Sequence, residues 1–430
     1  MCLFAEKSVI LPPMNRNWLH LIYIYILSAV FISTVVGCHD EPVEPTPPSP
    51  GRPFVKLPRT LIVYMSAENT LSSFARYDSL EIAQGLSNIG QDHRVVVYID
   101  DVKSSRLCVG MREQPLQVTK TYKNNICSTD SADMSRVLNE IIKVYPAEHY
   151  GLILWSHASG WVPASQTTRT RTVLRSFGAD NGHRNDQNNN GPSMNITTLT
   201  HVLEGMPHFD FVLFDACFMQ CMEVAYQLRY VTDYVIGSPA ELPGDGAAYL
   251  NLLQPMCQIP SNVNQMLENY VDYYLNGGGR IPYTGAEITA IRTDKVEALA
   301  AASAPYIQRI FSGRRSPECR NVQKYYVGLS QTLYTEFYDF KNLMFHHLSA
   351  EEYAEWSEAY DAAVPFAPLT PSWYSNFSSA DNHLCKITDM EHTGGVSLFV
   401  PSEVYARKGW VDKYHEYDWY RDTGMENTGW

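Results

Sequence analysis

Five short, almost unbroken apolar runs constrain this chain more than any other feature: Arg59–Ser66 (RTLIVYMS), His93–Asp101 (HRVVVYIDD), Gly151–Trp155 (GLILW), Phe209–Phe214 (FDFVLF) and Asp233–Gly237 (DYVIG). A strand with one face in water alternates apolar and polar residues. A strand covered on both faces does not, and such strands belong to parallel sheets sandwiched between helices. The intervening stretches fit that role. Apolar residues recur every three to four positions over Leu71–Ile89, Ser131–Tyr145 and Ile196–Leu203, and a further helix is expected from Cys217 to about Arg229, while Gly110–Tyr122 reads as a hairpin. The expected fold is α/β, a sandwich with a largely parallel central sheet flanked by helices. After Arg292 the pattern becomes more helical, near Lys295–Ser312, Leu333–Phe345 and Ala350–Ala363, and closes on a strand-like Gly395–Val400.

Lys and Arg number 33 against 46 Asp and Glu, a net charge of −13. That balance gives no basic surface for nucleic acid and favours basic peptides as partners. No repeat emerges and no linker interrupts residues 59–430, so the 430-residue chain is expected to carry one large domain, monomeric, behind an N-terminal leader.

That leader is a targeting segment. Leu19–Val36 is apolar, follows Arg16, and ends at Gly37-Cys38. A small residue followed by Cys resembles a bacterial lipoprotein signal, with residues 1–37 removed and Cys38 lipidated; the competing reading is a retained membrane helix. Residues 38–58 hold seven prolines and read as an extended tether. The expected location is the cell envelope, at the outer membrane and facing outward, because the acidic pair after Cys38 resembles a surface-export tag.

Nine cysteines include Cys2 and Cys38, which leaves seven in the exported domain. An odd thiol in an oxidising compartment points to Cys217; the other six are expected either to pair or to stay as small buried hydrophobes. No Cys-x-x-Cys pair supports a zinc ribbon.

Two strand ends carry candidate chemistry. Leu152-Ile-Leu-Trp-Ser-His157 runs a buried strand into a His, and Phe211-Val-Leu-Phe-Asp215-Ala-Cys217 runs another into a Cys. Both would emerge at the carboxyl edge of the sheet, where α/β proteins place their sites. A Cys opening a helix would have its thiolate favoured by the helix dipole, and a neighbouring imidazole could take its proton.

The segments Trp155-Ser-His157-Ala-Ser-Gly-Trp161 and Phe214-Asp215-Ala-Cys217-Phe-Met219, with Leu61–Asn69, Ser176–Asp180 and Gly237–Glu241 in support, resemble the clostripain family of cysteine peptidases, relatives of caspases and gingipains. The resemblance implies a caspase-like sandwich, Cys217 as nucleophile and His157 as general base and acid, with no third member and no cofactor required. The residue after the His is usually Gly in the family and is Ala158 here. Its N–H can still serve an oxyanion if the turn does not demand positive φ. The family cleaves after Arg or Lys, so Asp215 and Asp245 become candidates for a substrate-binding pocket. The residues alone leave Asp215 equally readable as a helix N-cap and Asp245 as a turn residue. The resemblance also places self-cleavage in the polar stretch 162–194, at Arg169, Arg171 or Arg175. In the same stretch Asp186, Asn188 and Asn190 match the first half of a calcium loop, although Thr197 stands where its bidentate Glu would be. A catalytically inactive relative that binds peptides as a surface lipoprotein is the alternative function.

Overall fold

Eight strands form one sheet in the order β4-β3-β2-β1-β5-β6-β7-β8: β1 Leu57–Ala67, β2 His93–Asp101, β3 Ser105–Met111, β4 Gln114–Thr121, β5 Ala147–Trp155, β6 Phe211–Asp215, β7 Tyr234–Gly237 and β8 Thr289–Arg292. The five central strands, β2, β1, β5, β6 and β7, run parallel. The β3–β4 hairpin is antiparallel at one edge and β8 is antiparallel at the other. This computed structural model describes residues 55–163, 176–180, 182, 191–278, 285–325, 337–376, 378 and 383–430. The leader, Cys38, Arg169, Arg171, Arg175, Asp186, Asn188 and Asn190 lie outside the described residues.

The unbroken apolar runs are explained by two cores, one on each sheet face. Leu61, Val63, Val95, Val97, Ile153 and Leu213 face one core, and Ile62, Tyr64, Val96, Leu152, Val212 and Phe214 face the other. The first face is covered by α1 (Ser72–Gly85) and, beyond the middle of the chain, by α5 (Tyr249–Cys257) and α6 (Val263–Leu275). The second is covered by α2 (Ser131–Val144), α3 (Ile196–Glu204) and α4 (Met222–Gln227). Each fully buried Val, Leu or Ile contributes about 1.5–3 kcal/mol, so both faces resist opening. The sequence reading missed α5, α6 and β8. Pro255 lies inside α5 and obscures its pattern, and β8 has only four residues.

Beyond β8 the chain is mostly helical: α7 Val296–Ile310, α8 Phe340–His347, α9 Ala350–Ala363, α10 Glu403–Arg407, α11 Trp410–Tyr414 and α12 Asp418–Asp422; the helix expected over Leu333–Phe345 begins only at Phe340, because Phe337–Asp339 pairs as a strand. Ser349 and Glu352 close a reciprocal capping box at the start of α9. Between these helices run two small antiparallel pairs, β9 (Phe337–Asp339) with β12 (Ser397–Phe399), and β10 (Ser372–Tyr374) with β11 (Leu384–Lys386). β12 packs against the turn after β6 and the start of α4, where Ser397 N donates to Gln220 O at 3.0 Å and Phe399 N donates to Glu223 Oε1 at 2.9 Å. The seven described cysteines are all free, so none of the expected alternatives involving a disulfide is realised.

Candidate active site

β5 and β6 lie side by side and pair Trp155 with Asp215. His157 and Cys217 each stand two residues further on, so the register places both at the same level above the sheet edge. Both line one cavity of about 580 Å³, along with Trp155, Asp215, Glu241, Asp245 and Tyr374.

The expected helix at Cys217 is not there. Helix α4 begins at Met222, with Cys221 as its N-cap. The intervening residues form a turn in which Phe218 has a φ of 63°, while the N–H groups of Phe218 and Gln220 donate to Ala240 and Ser238 at 2.9 and 3.0 Å. A residue held in the left-handed region cannot be part of a right-handed helix, so the turn at Phe218 excludes a helix starting at Cys217. Two expectations fall with it. The helix dipole does not act on Cys217, and Asp215 is not an N-cap. The thiol is stabilised instead by the Leu242 N–H, which donates to Sγ at 3.4 Å. This bond is outweighed: burial first, then the nearby Glu241 carboxylate, push the thiol up to about 12.

His157 follows β5 directly, and its Nε2 lies 2.9 Å from Thr70 Oγ1, at the turn before α1. Ala158 pairs with Phe177 in an antiparallel bridge, flanked by Ser159 N to Ser176 O and Gly178 N to His157 O. That pattern turns the Ala158 N–H away from Phe177. It donates to no described residue, and Ala158 does not have positive φ, so replacing the family's Gly costs no backbone strain. Two residues on, Gly160 takes a φ of 62°, and a Cβ there would meet Phe218 O at 2.8 Å. The His and Cys loops therefore touch at a position that only Gly fits.

Asp215 forms the cavity floor. Its Oδ2 accepts from Ala247 N at 3.0 Å and from Tyr249 Oη at 2.8 Å. Burial raises its carboxyl to about 6 against the pull of those two bonds. Behind it, Asp78 accepts from Trp155 Nε1 at 2.7 Å and is itself raised well above the usual range, by burial and then by Asp215. Asp245 lines the cavity from a turn closed by Gly246 N to Pro243 O at 3.0 Å. Sequence reasoning missed Glu241 as a wall of the cavity. Its Oε2 accepts from Ser375 Oγ at 2.6 Å and Asn376 N at 2.9 Å, just past β10. Its place after β7, at the carboxyl edge of the sheet, was the available signal. Thr70, Tyr249, Ser375 and Asn376 offered none.

Among the described residues, one acidic group is close enough to hold a metal. Glu68, Asp100 and Asp180 are buried, with oxygens within 4.8 Å of one another. Asp180 Oδ2 accepts from the N–H and Oγ of Ser128 and its Oδ1 from Gly182 N, which fastens the segment after the His loop.

Residues 63–430 match the clostripain family of peptidases, and the chain belongs to that family. Among solved structures it is similar to a secreted C11 cysteine protease from Bacteroides thetaiotaomicron in complex with an irreversible peptide inhibitor. That similarity has a TM-score of 0.72 and 29% identity over 86% of this chain and 99% of the other. An inactive zymogen C11 protease from Parabacteroides distasonis shares the fold, with a TM-score of 0.70 and 24% identity over 86% of this chain and 98% of that one. A comparison with curated protein sequences finds no match. The fold is thus the mixed α/β sandwich of these proteases. Among the described residues, no helix is long and apolar enough to cross a membrane.

Proposed function

We propose that this chain is a cysteine endopeptidase that cleaves after Arg or Lys through His157 and Cys217, and that lipid on Cys38 tethers it to the cell envelope. The observation that carries this reading is the cavity. His157 and Cys217 both line it at matched strand ends, and among the described residues every other charged side chain lining it, Asp215, Glu241 and Asp245, is acidic.

The substrate's cationic side chain enters this acidic space, with Asp215 at the floor and Asp245 on the wall. The Cys217 thiol gives up its proton to His157, and Sγ attacks the scissile carbonyl to form the tetrahedral intermediate, whose oxyanion accepts from the Ala158 N–H. Collapse breaks the C–N bond. His157 delivers the proton to the departing amine and a thioester remains on Cys217. Water, deprotonated by His157, then attacks the thioester, releases the carboxylate and restores the thiol. Self-cleavage at Arg169, Arg171 or Arg175 would follow the same chemistry, and terminal sequencing of the native and Cys217→Ala chains tests it.

The test of the function is a panel of fluorogenic peptides that differ only before the cleaved bond. Arg and Lys substrates are hydrolysed and the norleucine substrate is not; equal rates on all three would defeat the specificity. For the tether, Cys38→Ala abolishes lipid labelling and releases the protein from membranes, whereas a chain still membrane-bound without lipid would make Leu19–Val36 a spanning helix.

A further inference from the structure

The cavity that holds the nucleophile is also the cavity that holds its strongest electrostatic opponents. A catalytic cysteine is normally set beside a cation or a helix N-terminus, so that its thiolate is ready before substrate arrives. Among the described residues, Cys217 has neither a helix N-terminus nor a lysine or arginine lining its cavity. The groups that face it are His157 from the β5 loop, Asp215 two residues before it, Glu241 and Asp245 from the loop after β7, and the Tyr249 and Tyr270 hydroxyl-bearing rings from α5 and α6, while His383, just before β11, faces Glu241.

Glu241 stands out among them. It precedes Leu242, whose N–H is bonded to the sulfur, so its backbone is fixed relative to Cys217. Its side chain is fixed as well, because Oε2 is gripped by Ser375 and Asn376. Among the described residues Oε1 accepts no bond, and the side chain lines the cavity. Asp215 differs: two donors already engage its Oδ2, and it lies beneath the cavity. Ser375 and Asn376 come from the C-terminal part of the chain, so a distant segment holds this carboxylate against the nucleophile.

We propose that Glu241 couples substrate charge to nucleophile reactivity: in the empty cavity its carboxylate disfavours the Cys217 thiolate, and a cationic substrate side chain offsets that charge and releases the thiolate. The inference rests on the cation-binding reading above. It is supported by the thiol's upward shift, in which Glu241 is the largest contributor after burial. Under this arrangement the enzyme is least reactive toward stray electrophiles when empty, and a cation at the cleavage position improves kcat as well as KM.

The experiment follows alkylation of Cys217 by neutral iodoacetamide as a function of pH, with the modified residue located by peptide mass mapping. The probe is butylguanidinium, an arginine side chain without a scissile bond. In the native protein, saturating butylguanidinium moves the midpoint of the alkylation profile down by about one pH unit, roughly tenfold in rate below the midpoint. Glu241→Gln, which keeps an acceptor for Asn376, lowers the midpoint without the probe and shifts less when the probe is added. Steric shielding by the probe would lower the amplitude without moving the midpoint. A native midpoint unmoved by bound butylguanidinium overturns the coupling alone. Failure of butylguanidinium to inhibit Arg-peptide hydrolysis competitively overturns the cation-binding reading and the coupling with it.

Discussion

The two walls of the cavity are built in opposite ways. One wall, with His157, Asp215 and Cys217, comes from residues that leave two adjacent parallel strands at the same register, so the sheet fixes their spacing. The other wall, with Glu241, Tyr374 and Asn376, is assembled from a loop after β7 and a small hairpin more than a hundred residues further along. Chemistry that must be held to a fraction of an ångström sits on the rigid side. The side assembled by long-range contacts carries Glu241, the tuning group proposed above.

If that division is right, the largest losses come from the strand-end wall. Cys217→Ala should lower kcat/KM roughly 10⁴-fold or more, whereas Cys221→Ala should stay within about threefold, because Cys221 is fully buried in the core and its loss of packing falls on stability. Equal losses from both, with folding intact, would remove Cys217 from its role.

Asp215→Asn should follow, with a loss of about 1.5–3 kcal/mol for a charge-assisted bond, roughly ten- to a hundredfold in kcat/KM on Arg substrates. The pH dependence sharpens this. Asp215 is neutral below about 6 and anionic above, so KM for Arg peptides should fall as pH rises through that value and flatten in Asp215→Asn. Tyr249→Phe removes a bond that favours the anion, so it should move the same transition to higher pH. An unchanged transition in both variants would shift the pocket role to Asp245.

The smallest effect belongs to the far wall. Ser375→Ala removes one of the two donors holding Glu241 and should change kcat/KM about three- to tenfold, read by steady-state kinetics. A loss as large as that of Asp215→Asn would erase the distinction between the walls.

The same division explains what the sequence made legible. Strands β1, β2, β5 and β6 announce themselves as apolar runs because both of their faces are buried, and His157 and Cys217 are visible because they end two of those runs. The turn at Cys217 was misread as a helix, since apolar residues continue through Phe218, Met219 and Met222. What breaks the helix is the left-handed turn at Phe218, held by bonds from the Phe218 and Gln220 N–H groups to the loop after β7, contacts without local trace. Pairing of β12 with the Cys loop and the packing of Trp161 against Phe399 and Tyr414, with ring centroids at 4.4 and 5.1 Å, are equally nonlocal. The sequence therefore reveals which residues end the central strands at the cavity but not what braces them.

The most direct test of the account is covalent labelling by an arginyl acyloxymethyl ketone, with the adduct located by peptide mapping. A single adduct on Cys217, lost in His157→Ala and slowed in Asp215→Asn but retained in Cys221→Ala, is the predicted result. An adduct on another cysteine, or labelling of Cys217 as fast by the norleucyl reagent as by the arginyl one, would contradict a His157–Cys217 site that selects a cationic side chain.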